Sequence, residues 1–413
     1  MLTRRALLRG AGATAALGVA ASHRSGRAGA RRLGPRRRLV LVTSYGGWDT
    51  SYALDPKEPG HVDVPQGAVR AFGGLDVFTH ASRPHVTEFF EKHAGVTSIV
   101  RGLSTDAINH SECMIRMATG TRQSTSPDLS AIIAHECGND AAVPYLALGE
   151  ISYAGPFAAS AARVGASNQL VELLTPPADG GPGVSAQEQA LLQRYAQASA
   201  ARARATRGAQ GANRRRIDDF EQSLARADKL RALGGFGRRG EVQTLDAQID
   251  VALAALEQDV AQAVTLSTRQ FWDTHADITL QQVAHEVAYA GFSKLLDELK
   301  RRPGRSAGSK MIDDTVVVCI SDLSRTPRLN SFGGKEHWPV IAAMVMGAGV
   351  TGGVCHGATS ASAEALAMDL HTGRASPEGL KPMYSHFAAG VLTLCGVDPQ
   401  PYFEVPPLDA FVA

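Results

Sequence analysis

The chain has 413 residues, 44% hydrophobic and 20% charged, which allows one large α/β domain with an insertion, or two domains, and excludes a disordered chain. Residues 1–30 hold five arginines and no acid, so the formal charge of +2 leaves −3 on the remainder. That remainder has no basic footprint, which argues against nucleic acid as a partner.

The N-terminus contains Thr3-Arg4-Arg5-Ala6-Leu7-Leu8 followed by a weakly apolar Ala/Gly-rich run. It reads as a twin-arginine export signal over residues 1–30, with Ala28-Gly29-Ala30 as a small-residue cleavage site. A disordered basic tail is the alternative. The run is too short and glycine-rich for a membrane span, so no span is expected once the signal is removed. Twin-arginine export carries folded proteins, which predicts a periplasmic or extracellular location and suits a metal acquired beforehand. The five cysteines, Cys113, Cys137, Cys319, Cys355 and Cys395, form no C-x-x-C pair, and the odd count leaves at least one thiol unpaired.

Arg38–Ser44 (RLVLVTS) reads as a strand that stops at Tyr45-Gly46-Gly47-Trp48-Asp49, a glycine turn exposing a carboxylate. Residues 73–78 and 98–100 read as strands on either side of an amphipathic helix over Pro84–His93. Residues 106–120 begin as a polar loop and become helical. Residues 126–137 predict a helix with Ser126 as N-cap and Pro127 at its first position, before a strand over 143–148. Within a domain spanning 38–413, residues 176–250 read as a helical insertion: a Pro/Gly linker, then Ala/Gln/Arg-rich helices.

Residues 251–271 read as a further helix leading to Trp272-Asp273-Thr274-His275, and residues 280–299 as an amphipathic helix. An apolar run from Val316 to Ile320 then delivers Ser321-Asp322 into a turn-rich loop that closes on His337-Trp338. Residues 340–346 read as a strand, 347–353 as a tight turn without a phosphate-loop pattern, and 385–395 as a helix. This alternation predicts an α/β fold with a mainly parallel central sheet between helices.

Four polar clusters fall at predicted element ends: Asp49, His110-Ser111-Glu112, Asp273-Thr274-His275, and Asp322 with His337. Imidazole mixed with carboxylate suits zinc or manganese, and a bound metal activates a nucleophile such as Ser111. Each residue also has a plainer reading. Asp49 forms a turn, His110 and Ser111 cap a helix, Asp273 caps a helix from Thr274, and Asp322 caps or pairs with Arg325.

The stretches SYGGWDTSYALDPK, INHSECMIRMATGTR, FWDTHAD, SDLSRTPRLNSFGGKEHWP and GAGVTGG give the chain a clear likeness. It resembles the DUF1501 family of twin-arginine-exported proteins, which are related to sulfatases and alkaline phosphatases. The resemblance implies an alkaline-phosphatase-like fold with metal ions at the strand ends. It implies Ser111 as nucleophile and Asp49, Asp273, His275, Asp322 and His337 as ligands of a divalent metal, zinc first, with manganese, calcium or magnesium as alternatives. Leu323 stands where phosphatases place a metal-binding histidine, so one metal site is expected rather than two. The implied activity is hydrolysis of phosphate or sulfate esters, small-molecule or glycan, with Arg116 or Arg325 binding the substrate oxyanion. The alternative is a non-catalytic cell-envelope binding protein that retains the fold.

Overall fold

The computed structural model describes residues 34–58, 60–138, 140–164, 186–206, 210–232 and 242–413. The stretches read as an export signal (1–30) and as a Pro/Gly linker (176–183) lie outside the described residues. Strand β1 (Arg38–Ser44) leads through a hairpin, β2 (Ala68–Phe72) and β3 (Leu75–Thr79), to helix α1 (Pro84–His93) and β4 (Thr97–Ser104). Helices α2 (His110–Thr119) and α3 (Leu129–Cys137) precede two short strands, β5 (Tyr145–Ala147) and β6 (Ala161–Arg163). Two polar helices follow, α4 (Ala186–Thr206) and α5 (Gly211–Ala232), then α6 (Leu245–Glu257), β7 (Ala263–Ser267) and α7 (Leu280–Arg301). The rest comprises β8 (Thr315–Ser321), the small pair β9 (Ser324–Arg325) and β10 (His337–Trp338), β11 (Val340–Gly347), β12 (Val354–His356) and α8 (Tyr384–Leu394).

Eight strands form one sheet in the order β12-β4-β11-β8-β1-β7-β5-β6. Only β11 runs against its neighbours, β4 and β8; every other pairing is parallel. The expected α/β architecture is therefore present. Side chains alternate across each strand: Val40 and Val42 join one hydrophobic core, Leu39 and Leu41 the other. Both faces are covered by helices, which is why β1, β8 and β11 read as unbroken apolar runs. The carboxyl ends of β1, β4, β7 and β8 consequently share one edge with the start of β11, and five loops meet there.

Three expectations need correction. Residues 263–267 form a strand, β7, rather than part of a helix over 251–271; both readings fit a short apolar run, and pairing with β1 decides it. The N-cap of α3 is Asp128, whose carboxylate accepts from the Ala131 amide at 2.8 Å, not Ser126. The expected end of the insertion at 250 falls inside α6, whose Leu245 and Ile249 belong to the core. All five cysteines are free, and no helix among the described residues is long and apolar enough to cross a membrane.

Two core histidines make the fold acid-sensitive. Burial, aided at His93 by the nearby Lys300 ammonium, depresses the imidazoles of His93 and His356 to about 4. The unfolded chain takes up these protons near pH 6.5 while the native chain does not until about 4, so stability falls as pH drops through that window. Urea unfolding at pH 7 and pH 5 should show a lower midpoint at pH 5; an equal or higher midpoint would contradict the assignment.

Candidate metal centre

The site is assembled on the shared sheet edge. Gly46 and Gly47, just after β1, adopt φ of 111° and 82°, a region open to glycine but strained for other residues. Their amides, with that of Leu323, donate to Asp322 Oδ1 at 3.0–3.1 Å. Asp322 is wholly buried, and its other oxygen holds His110 Nδ1 at 2.6 Å. His110 is the first residue of α2, whose N-cap is Asn109, accepting from the Glu112 amide at 3.3 Å.

Two further imidazoles are held in the same way. His337 Nδ1 lies 2.7 Å from the Ile108 carbonyl, and His275 Nδ1 lies 2.7 Å from Glu336 Oε2. A carbonyl or carboxylate oxygen only accepts, so each Nδ1 carries a proton, and in the neutral form of each ring Nε2 presents a lone pair. All three Nε2 atoms converge on Asp273 Oδ1, at 3.3 Å for His110, 3.0 Å for His275 and 3.3 Å for His337. The Nε2 atoms of His275 and His337 are 2.9 Å apart. Ligand atoms of His110, Asp273 and His337 lie mutually within 4.8 Å.

These residues fit a metal. Tetrahedral ligands at about 2.0 Å from zinc stand about 3.3 Å from one another, close to the spacing found here. His110 Nε2 is buried without a hydrogen bond of its own. Anchoring of the far ring nitrogen by carboxylate or carbonyl is what orients histidines toward a metal. His110 and His337 are mostly buried while Asp273 and His275 are each 39% exposed, so the centre faces solvent on one side.

Charge within the cluster is uneven. Burial favours the carboxylic acid form of Asp273, but the Arg325 guanidinium at 2.6 Å and the neighbouring His110 hold its pKa at about 2. Burial opposes protonation of His110, yet the carboxylates of Asp322 and Asp273 outweigh it and raise the pKa. At His337 burial dominates, and the charges of His110 and Arg325 add to it, so the pKa falls despite the Ile108 carbonyl.

Among the expected ligands, Asp273, His275 and His337 come together. Asp322 does not face the common point; it sits behind His110 as its anchor. Asp49 is also absent from the cluster. Its Oδ1 accepts from the Ser51 amide and hydroxyl at 3.0 and 2.5 Å, and its Oδ2 pairs with Lys335 Nζ at 2.6 Å, both residues being buried. Ser111 is exposed on the first turn of α2. Neither expected anion-binding arginine is available. Arg116 binds the Thr105 carbonyl and Glu112, while Arg325 binds the carbonyls of Gly46, Gly47 and Lys335 besides Asp273. Leu323 is buried. The imidazole adjoining Asp322 comes instead from His110, which the sequence offered only as one member of a helix-start cluster. Glu336 gave no prior signal beyond its place in the Lys335-Glu336-His337 run.

The sequence matches the family described as "Protein of unknown function (DUF1501)" over residues 36–388. The chain belongs to the DUF1501 family. Comparison with curated proteins found no match. Solved structures similar to this DUF1501 chain include an alkaline phosphatase superfamily protein from Vibrio parahaemolyticus, with TM-score 0.40, 12% identity, 88% of this chain and 67% of that one covered. Another is Ps i-CgsB in complex with k-i-k-neocarrahexaose, with TM-score 0.44, 10% identity and coverage of 90% and 75%. A third is the lipoteichoic acid synthase LtaP from Listeria monocytogenes, with TM-score 0.42, 8% identity and coverage of 91% and 76%. Similarity of this degree carries no argument about activity, which rests on the centre itself.

Proposed function

We propose that the protein is an exported, metal-dependent hydrolase of phosphate or sulfate esters. The observation that carries this reading is the convergence of three Nδ1-anchored histidines on Asp273 Oδ1. A divalent ion, zinc being the best match to this donor set, would be held by His110, Asp273 and His337 with His275 beside them. When bound, it supplies Lewis acidity toward the ester oxygen and lowers the pKa of a coordinated hydroxyl.

The chain's own groups divide the remaining work. Asp322, the Ile108 carbonyl and Glu336 fix the tautomers and ring planes of the three histidines. Arg325 offsets the charge of Asp273 and ties the β1 and β9 loops together. Ser111 places a solvent-accessible hydroxyl at the start of α2, where the helix dipole favours negative charge developing on the attacking oxygen. The arginine pair and small-residue run at the N-terminus support export by the twin-arginine route.

Assays with 4-nitrophenyl phosphate and 4-nitrophenyl sulfate test the reading. Ser111→Ala should lower turnover by at least about 100-fold while leaving metal content unchanged, the loss typical of an activated nucleophile. Full activity in that variant would remove Ser111 from the mechanism. The alternative, a non-catalytic cell-envelope binding protein, is favoured by one observation: Arg116 and Arg325 are both engaged internally, so neither awaits an ester anion. Absence of turnover on both esters by a metal-loaded protein would support it.

A further inference from the structure

A groove adjoins the metal centre. Tyr45 follows β1 directly, is 44% exposed, and has its ring centroid 5.1 Å from that of His110. It forms one wall of a cavity of about 240 Å³ whose other walls include Arg269, Gln270 and Phe271. A second cavity, of about 660 Å³, shares Glu150, Arg269 and Gln270 with the first and continues past Gln243 and Thr244. The shared residues make the two adjoining compartments, and Tyr45 stands between the smaller one and His110.

The segment after β7 builds its central wall. Trp272 is buried and its indole N–H donates to Thr268 Oγ1 at 2.9 Å, while Phe271 is turned outward and 64% exposed. Asp273, the next residue, turns to the metal centre. Arg269 adopts φ of 57°, a left-handed conformation rare outside glycine and frequent at functional sites. This backbone places its guanidinium 2.6 Å from Glu150 Oε1.

The lining narrows the class of ligand. Arg269 and Glu150 neutralise each other, and Asp246 is paired with Lys294 at 2.6 Å, so the groove offers little net charge to a polyanion. Leu245, Val287 and Ala290 give the larger compartment an apolar wall, while the side-chain amides of Gln243 and Gln270 and the Thr244 hydroxyl add polar groups that can meet ligand hydroxyls, a mixture that suits the two kinds of surface on a sugar ring. Tyr45 and Phe271 offer exposed aromatic rings on which the apolar C–H face of a sugar ring can rest. The smaller compartment exceeds the roughly 150 Å³ that encloses one six-membered ring, and the larger has room for more.

We propose that this groove binds an oligosaccharide of at least two rings and thereby makes a carbohydrate ester the substrate class of the neighbouring centre. The assignment of substrate rests on the hydrolase reading; the binding of sugar does not.

The full, metal-loaded chain should be applied to an array of neutral, sulfated and phosphorylated oligosaccharides. Oligosaccharides of two or more rings should be retained, with signal reduced at least tenfold in Phe271→Ala and in Gln270→Ala at unchanged melting temperature. His337→Ala should lose metal yet keep sugar binding, which separates the groove from the centre. A wild-type chain found without metal that still retains oligosaccharide would end the hydrolase reading and uphold the groove. No retention above background, or equal retention by both groove variants, would overturn the proposal.

Discussion

Replacing His337 with alanine should abolish stoichiometric metal binding. The ring supplies one of the Nε2 atoms around Asp273 Oδ1 and is held by the Ile108 carbonyl, so its loss removes an oriented ligand from the centre. Changes behind a metal ligand typically cost 10–100-fold in affinity, and loss of the ligand itself should exceed about 100-fold. Isothermal titration with zinc and elemental analysis of the purified variant measure this directly. Wild-type protein should gain about 2.7 kcal/mol of stability at zinc 100-fold above its dissociation constant, and the variant should gain almost none under the same conditions. Asp322→Asn tests the anchor: the amide keeps its shape but loses the charge facing His110, so affinity should fall by about 10–100-fold. Since zinc must displace a proton from His110, whose pKa is raised, affinity should also decline as pH falls. Wild-type protein that takes up no zinc, manganese, calcium or magnesium would remove the metal centre altogether.

Much of the fold was legible because burial on both sheet faces imprints apolar runs on β1, β8 and β11, and helical spacing marks α1 and α7. The strand β7 was not legible: AVTLS is short, follows a true helix, and declares itself only by pairing with β1 and β5. The site divides along a similar line. Asp273, His275 and His337 stand out as carboxylate or imidazole at loop starts, which is local information. Whether a carboxylate faces the metal or stands behind a histidine is not local. Two of the three amide protons that Asp322 receives come from Gly46 and Gly47, far away in sequence, which turn their N–H groups toward it. The imidazole that meets Asp322 comes from His110, on another strand's loop, and residue order alone contains no such pairing.

Asp49 shows most sharply how a likeness in sequence can part from a role in space. As a ligand, its removal should empty the metal site. As half of a buried pair with Lys335, its removal should destabilise the protein and leave metal stoichiometry in the native fraction unchanged. The geometry predicts the second outcome. Lys335 and Asp49 are both almost fully buried, 2.6 Å apart, and Lys335 Nζ lies 5.5 Å from the Tyr52 ring centroid. Asp49→Asn keeps an acceptor for the Ser51 amide but leaves an ammonium without its counter-charge in the interior. Breaking such a pair from one side costs about 3–5 kcal/mol, a large fraction of the roughly 5–15 kcal/mol that holds a domain together. Urea titration should show that loss. A second change, Lys335→Met, should restore much of it, because the penalty comes from the stranded charge more than from the lost attraction. If Asp49→Asn instead retained its urea midpoint and lost its metal, Asp49 would return to the ligand set and the ion pair would be the metal-free alternative to coordination.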